Sequence, residues 1–304
     1  MASKNEPTGH ARSSTYCGRR WYRVCVAMLL LTLRFGCLGG CALAGAWRRG
    51  FAKPPSFVLH AMPELKPSRF ANFANWLFPG HLLVGRYPYC DPLYCRSPRE
   101  AKAQLESLVC GAGVTIFVCL QDELPSQDSL LSWPRKGIPE PGFPGRYLLY
   151  AAPARALLSA AEETAAVAAA IPHPVSTPVA PRTLAPAPGA TKGGAARGRG
   201  DLRFVHAPVV DLSVPSAGTL GNLLADLERW LKAGEVIYLH CWGGRGRTGV
   251  VAACLLGRVL PGLSADDCLA AVQAGYSARG DPRDVGPLAR SPQTLEQRRF
   301  VRSW

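Results

Sequence analysis

The sequence predicts an α/β fold with a central, mostly parallel sheet flanked by helices. Three observations carry this expectation. Short β-branched runs alternate with longer amphipathic segments. One run, Val114–Leu120 (VTIFVCL), is apolar at every position but Thr115, as a strand covered on both faces must nearly be. The strand-like EVIYLHC (Glu235–Cys241) passes through a short glycine-rich turn into the almost wholly apolar RTGVVAACLLGRVL (Arg247–Leu260), which is therefore a central helix.

The elements follow in order. Residues 1–55 do not read as part of the fold. No acidic residue occurs between Glu6 and Glu64, and Arg19, Arg20 and Arg23 flank the apolar run Val24–Leu33. This segment reads as a targeting sequence, a secretory signal or an organelle transit peptide, or as a membrane anchor over Val24–Trp47. Arg34 argues against the anchor, since a charge at mid-bilayer costs about 2.5–3.5 kcal/mol. Otherwise it is a disordered arm. It is the part of the chain through which membrane association is expected.

The folded domain is expected over 56–304. Leu82–Val84 is a short strand between glycine turns. Arg96–Gly113 is a helix with Ser97 as N-cap, Pro98 at its first position and Glu100 completing a capping box. Val114–Leu120 is the buried strand, and Arg146–Tyr150 is a further candidate. From 151 to 200 the composition turns to alanine, proline and glycine. The alanine-rich first half can form a helix; the rest cannot build a core, and the stretch is read as a disordered insertion at about 151–200. Arg203–Leu212 is strand-like. Thr219–Gly234 places Leu220, Leu223, Leu224, Leu227, Trp230 and Leu231 on one helical face. After Arg247–Leu260, Ser264 caps a last helix, ADDCLAAVQAG.

Composition narrows the function classes. The net charge of +14 favours anionic partners. Much of it lies in the first fifty residues and the low-complexity stretch, so it marks no nucleic-acid face, and no nucleic-acid partner is expected. The 11 cysteines include no C-x-x-C, and no histidine near Cys90 and Cys95 completes a zinc set. They read as buried, reduced residues, which places the folded domain in a reducing compartment.

The turn between Cys241 and Arg247 carries the chemistry. A loop at the C-terminal edge of a parallel strand, feeding a helix N-terminus, aims backbone N–H groups and the positive end of a helix dipole into one concavity. Gly243, Gly244 and Gly246 allow the backbone to take that shape. Positive potential there favours the thiolate of Cys241, the nucleophilic form. Arg247 offers a planar fork for two phosphoryl oxygens, Thr248 a hydroxyl for the sulfur, and His240 ring nitrogens to fix the loop. The turn lacks the lysine of an ATP-binding loop and the spacing of a dinucleotide fingerprint.

HCWGGRGRTG (His240–Gly249) resembles the H-C-x-x-G-x-x-R-[ST]-G signature of the cysteine-dependent protein tyrosine and dual-specificity phosphatases, with every defining position present. HAPVVDLSVPS (His206–Ser216), about thirty residues upstream, resembles the loop that carries the general acid in that superfamily. SPQTLEQRRFVRSW (Ser291–Trp304) resembles its water-positioning Q-T-x-x-Q segment. The resemblance covers about Asn75–Trp304. It implies a protein-tyrosine-phosphatase-like fold and hydrolysis of a phosphate monoester, on a phosphorylated protein or another phosphorylated substrate, without a metal or other cofactor. Cys241 would attack phosphorus, Arg247 and the loop amides would hold the oxygens, and Asp211 would donate a proton to the leaving group. Gln293 or Gln297 would place the water. His240, Trp242, Gly243, Gly244, Arg245 and Gly246 would line the binding loop. Arg245 fits a second phosphate, as in phosphatases of inositol lipids, or is a solvated rim charge. Trp242 fits an aromatic wall for phosphotyrosine, or packs behind the loop. Rival readings are a phosphoinositide or inositol-phosphate phosphatase, a phosphate-binding pseudophosphatase acting as an interaction module, and a redox or sulfur-transfer protein. The last leaves Arg247 and Asp211 without a role.

Overall fold

The computed structural model describes residues 65–170, 201–281 and 289–304. The chain divides at Pro54/Pro55, and all described residues belong to the second part. The segment expected to target or anchor the protein, and residues 171–200 of the low-complexity stretch, lie outside the described residues. Among the described residues no helix is long and apolar enough to cross a membrane.

The sheet has six strands: β1 (Ser68–Arg69), β2 (Ala74–Phe78), β3 (Leu82–Gly85), β4 (Ile116–Gln121), β7 (Arg203–Val209) and β8 (Ile237–His240). Their order is β1-β2-β3-β8-β4-β7. The β1–β2–β3 meander is antiparallel, and β3, β8, β4 and β7 run parallel. Two-residue strands β5 (Ile138–Pro139) and β6 (Arg146–Tyr147) pair in a separate antiparallel ribbon.

The parallel strands alternate between two apolar layers. Ile116, Val118 and Leu120 face one, with Leu82, Val84, Ile237 and Leu239. Phe117, Leu83 and Tyr238 face the other. Period-two alternation of side chains across a sheet produces this split, and it is why Ile116–Leu120 is apolar throughout. The first layer is covered by α3 (Ala217–Lys232), α4 (Arg247–Val259) and α5 (Ala265–Ala278), with α6 (Leu295–Ser303) beside them. All six apolar positions expected on the α3 face are buried. The second layer is covered by α1 (Pro98–Glu106) and the start of α2 (Ala151–Ala170).

Helix ends follow their caps. The Ser97 hydroxyl accepts the Glu100 N–H at 3.4 Å, so the Ser97 half of the expected box is present. Ser264 and Asp267 form a complete capping box on α5, and Thr294 and Gln297 do so on α6.

Two expectations need correction, and one strand was not expected. Residues 151–170 are the helix that the alanine-rich first half allowed, so the insertion expected at about 151–200 does not begin at 151: Ala151, Ala154 and Leu158 pack into the second layer. Arg146–Tyr150 contributes only two residues to a ribbon, since Tyr150 turns into the core and α2 begins at Ala151. Strand β2 escaped the sequence pattern because the polar Asn75 sits inside it. Asn75 is 1% exposed, and its Oδ1 accepts from Nε of Arg279 at 2.8 Å.

Candidate active site

Strand β8 lies between β3 and β4 with parallel pairing on both sides, so its C-terminal end opens at the middle of the sheet edge. The loop Cys241–Gly246 starts there, and α4 leaves from Arg247. No side chain caps α4 at Gly246; in its first turn the Gly249 N–H reaches the Arg245 carbonyl at 3.2 Å, and the helix N-terminus opens on the loop without a side-chain cap. Gly244 is required twice over: its φ is +65°, and a Cβ would collide with the Gly85 carbonyl. A Cβ on Gly246 would press on the Gln297 amide at 3.2 Å.

The loop rests on buried polar struts. Arg279 donates through Nη2 to the carbonyls of Gly244 (3.0 Å) and Val84 (3.1 Å). Arg86 pairs with Asp281 in full burial, and the Tyr238 hydroxyl donates to the Arg86 carbonyl at 2.7 Å. His240 lies behind the loop rather than lining it. It is fully buried among the rings of Tyr87, Tyr150 and Tyr238. Its Nδ1 lies 3.3 Å from the Cys241 carbonyl, which can only accept, so Nε2 accepts from the Tyr150 hydroxyl at 2.8 Å. Burial pushes the imidazole down to about 3, so it is neutral.

Cys241 is 3% exposed at the base of the concavity. Arg247 is buried beside it. Its Nη1 and Nη2 meet Glu123 in a two-pronged pair at 2.6 and 2.9 Å. Nη1 also donates to the Val209 carbonyl at 3.1 Å. Nη2 lies 3.0 Å from Oδ1 of Asp211, a side chain 56% exposed at the end of the β7 loop. Nε of Arg247 and Oγ1 of Thr248 are buried without a hydrogen-bond partner. Burial would lower the Arg247 guanidinium, but Glu123 and the neighbouring Cys241 and Asp211 charges raise it. Burial would likewise raise the Glu123 carboxyl, yet the bonds from Arg247 hold it below the usual range.

The remaining expected residues converge here too. Trp242 donates from Nε1 to Asp91 at 3.1 Å and meets Phe143 and Tyr147 edge-on, with centroids 5.1 and 5.7 Å away. It is thus tied into the β5–β6 ribbon. Asp91 also accepts from the N–H groups of Leu93, Tyr94 and Cys95. Burial dominates those bonds and leaves its carboxyl raised. Arg245 donates from Nε to Gln293 Oε1 at 3.1 Å, and its carbonyl accepts from Ser291 Oγ at 2.8 Å. Gln297 is fully buried against Gly246.

Sequence reasoning missed Glu123, Asp91 and the ribbon residues Glu140, Phe143 and Tyr147. The signal for Glu123 was its place just past the C-terminal end of a buried parallel strand, on the edge that carries the loop. Asp91 had only an Asx-turn composition to mark it. The described cysteines are all free, and no group of His, Cys, Asp or Glu among the described residues is arranged to hold a metal ion.

A thiol at a glycine-turned helix N-terminus, with an arginine fork and orphaned buried donors beside it, is suited to hold an anion against a nucleophile. Residues 196–259 match the family model Tc-R-P, described as polymorphic toxin system, DSP-PTPase phosphatase. Over 96 residues the chain is 33% identical to cyclin-dependent kinase inhibitor 3 of Rattus norvegicus and 32% identical to that of Homo sapiens. Each match spans 32% of this chain and 40% of the relative, so the chain covers less than half the length of these relatives. The part of the chain that is similar to these proteins is the part that bears the signature loop. The crystal structure of Tk-PTP in the active form shares 18% identity, over 73% of this chain and 88% of that one, with a TM-score of 0.37 that is too low to bear on the fold.

Proposed function

We propose that this chain is a cysteine-dependent phosphatase that hydrolyses phosphate monoesters on proteins, phosphotyrosine first and phosphoserine or phosphothreonine as well. The observation that carries the reading is the convergence of Cys241 with two buried, unpartnered donors, Arg247 Nε and Thr248 Oγ1, at an uncapped helix N-terminus. Buried donors without partners cost about 1–3 kcal/mol each, so their survival in one concavity argues for an anionic ligand.

The Cys241 thiolate attacks phosphorus, the P–O bond to the leaving group breaks, and a cysteinyl-phosphate forms. Asp211 gives its proton to the leaving oxygen and then takes one from the water that cleaves the S–P bond. Loop N–H groups and the Nε edge of Arg247 hold the equatorial oxygens. Glu123 holds the far side of the fork, so the guanidinium is already oriented when the substrate arrives. The phosphoryl group displaces the Asp211 carboxylate from Nη2, and a protonated Asp211 yields that position without loss of a charge pair.

A polyphosphorylated inositol headgroup is the second reading, favoured by the half-buried Arg245 within the loop. Glu140 opposes it, a carboxyl whose charge is felt alongside those of Glu123 and Asp211 at the same mouth.

The test is turnover by the purified full chain of 4-nitrophenyl phosphate, a phosphotyrosine peptide, a phosphoserine peptide and an inositol phosphate. Loss of all turnover in Cys241→Ser, with wild-type activity on the peptides, supports the reading. Wild-type protein that turns over none of these while reduced is a binding module instead.

A further inference from the structure

We propose that Gln297 is a positioning residue for the acid loop, holding Asp211 over the signature loop through the backbone of Ser213. The proposal rests on reading Asp211 as the proton donor.

The Gln297 side chain is fully buried at the N-terminus of α6 and its amide is heavily committed. Oε1 accepts from the N–H groups of Gln293 and Thr294 at 3.0 and 3.1 Å. These bonds cap the helix. The third bond has another purpose: Nε2 donates at 3.0 Å to the carbonyl of Ser213, 84 residues earlier in the chain. The same amide packs on Gly246. One side chain therefore spans the acid loop and the phosphate loop.

The acid loop needs such a tie. A bond from the Ser213 N–H to the Val210 carbonyl (3.1 Å) closes a turn around Asp211 and Leu212. Leu212 has φ of +60°, a conformation that disfavours a residue bearing a side chain and that persists only under restraint. Asp211 itself is held by its ion pair with Arg247. That pair exists only while Asp211 is ionised, and proton donation requires the neutral acid. The Gln297–Ser213 bond does not depend on the protonation of Asp211, so it still holds the loop in the form that does the chemistry. The bond from Arg247 to the Val209 carbonyl fixes only the root of the loop.

Positioning of a proton donor has a signature that simple destabilisation lacks. An acidic phenol leaves without a proton, whereas a poor leaving group needs one. The experiment compares kcat/KM for 4-nitrophenyl phosphate and phenyl phosphate in the full chain. Gln297→Glu keeps oxygen acceptors for the α6 cap but presents no donor to Ser213. Gln297→Met is a second variant, of similar length, that loses all three bonds. Thr294→Val weakens the cap alone, and Asp211→Asn is the reference for a missing acid. The expected result is a tenfold or larger fall in the phenyl to 4-nitrophenyl ratio for both Gln297 variants, in the direction of Asp211→Asn, with the ratio unchanged in Thr294→Val. The ratio does not depend on how much protein is folded or on a general loss of phosphate affinity. A wild-type ratio in both Gln297 variants, while Asp211→Asn shifts it, overturns the proposal. If Asp211→Asn leaves the ratio unchanged, the proton-donor reading falls first and the proposal with it.

Discussion

Arg247 is the residue on which the site turns, and it is more constrained than a phosphate clamp alone requires. Glu123 takes both terminal nitrogens in a flat, two-pronged pair, leaving the Nε edge to face the loop. Such a pair orients the guanidinium but makes its partner indispensable, because an arginine left buried without its carboxylate carries an uncompensated charge. Glu123 is 26% exposed and Asp211 remains nearby, so Glu123→Ala should cost about 2–4 kcal/mol of stability, at or below the usual range for a fully buried pair. Chemical denaturation measures this. Turnover of 4-nitrophenyl phosphate should fall at least tenfold, since the fork loses its orientation, and Glu123→Gln should recover part of both. Unchanged turnover in Glu123→Ala would show that the loop alone orients Arg247. The signature residues themselves were legible in the sequence because one turn holds them in consecutive positions, where spacing is geometry. Glu123 and Asp91 were not, because they reach the site across the sheet edge and nothing local in the sequence ties either to Cys241.

At the level of elements, the part of the site least visible in the sequence is the β5–β6 ribbon. Two-residue strands leave no periodicity to read, and their value lies in what they carry. Phe143 and Tyr147 meet the two edges of Trp242, and Asp91 holds its indole nitrogen. The indole is thereby fixed as a joint between the ribbon, the 91–95 turn and the signature loop. Trp242→Phe keeps the aromatic packing but removes one donor from a buried carboxylate that retains three backbone donors. A loss of about 1–2 kcal/mol is expected, or a melting point lower by about 2–6 °C. Asp91→Asn in the same background should add a further loss, because an amide NH2 in place of Oδ2 cannot accept the Cys95 N–H, and a double-mutant cycle in thermal melts separates that loss from the Trp242 bond. The longer elements were legible for the opposite reason. Strands β3, β4, β7 and β8 and helices α1, α3, α4 and α5 each show a full period of apolar residues or a cap. Helix α2 was masked by its composition, since alanine packs against the core yet looks like filler in a stretch that also contains many prolines and glycines.

At the scale of the whole molecule, the site and the fold share one acid-sensitive point. His240 ends the central strand, with β3 and β4 on either side and a layer of tyrosines over its ring. Burial lowers its imidazole from 6.5 to about 3 in the folded chain. Between those values the unfolded chain takes up a proton that the folded chain refuses. Stability is therefore fully present above pH 6.5 and falls as pH drops toward 3, by up to about 1.4 kcal/mol per pH unit. The lowered carboxyl of Glu123 works in the same direction, but its contribution is lost only as pH falls below about 4.5, its ordinary value. The two are thus separable: a decline that begins between pH 6.5 and 5 belongs to His240, which continues to contribute toward pH 3, and a steepening below about 4.5 belongs to the carboxylates. Denaturant unfolding of the full chain at pH 7.5, 6 and 5 should show the early decline. His240→Asn should be less stable at pH 7.5, where it loses the fit to Tyr150, but should have a flatter profile between pH 6.5 and 5. An equally steep decline in His240→Asn would move the acid sensitivity to another group and free the central strand from that role.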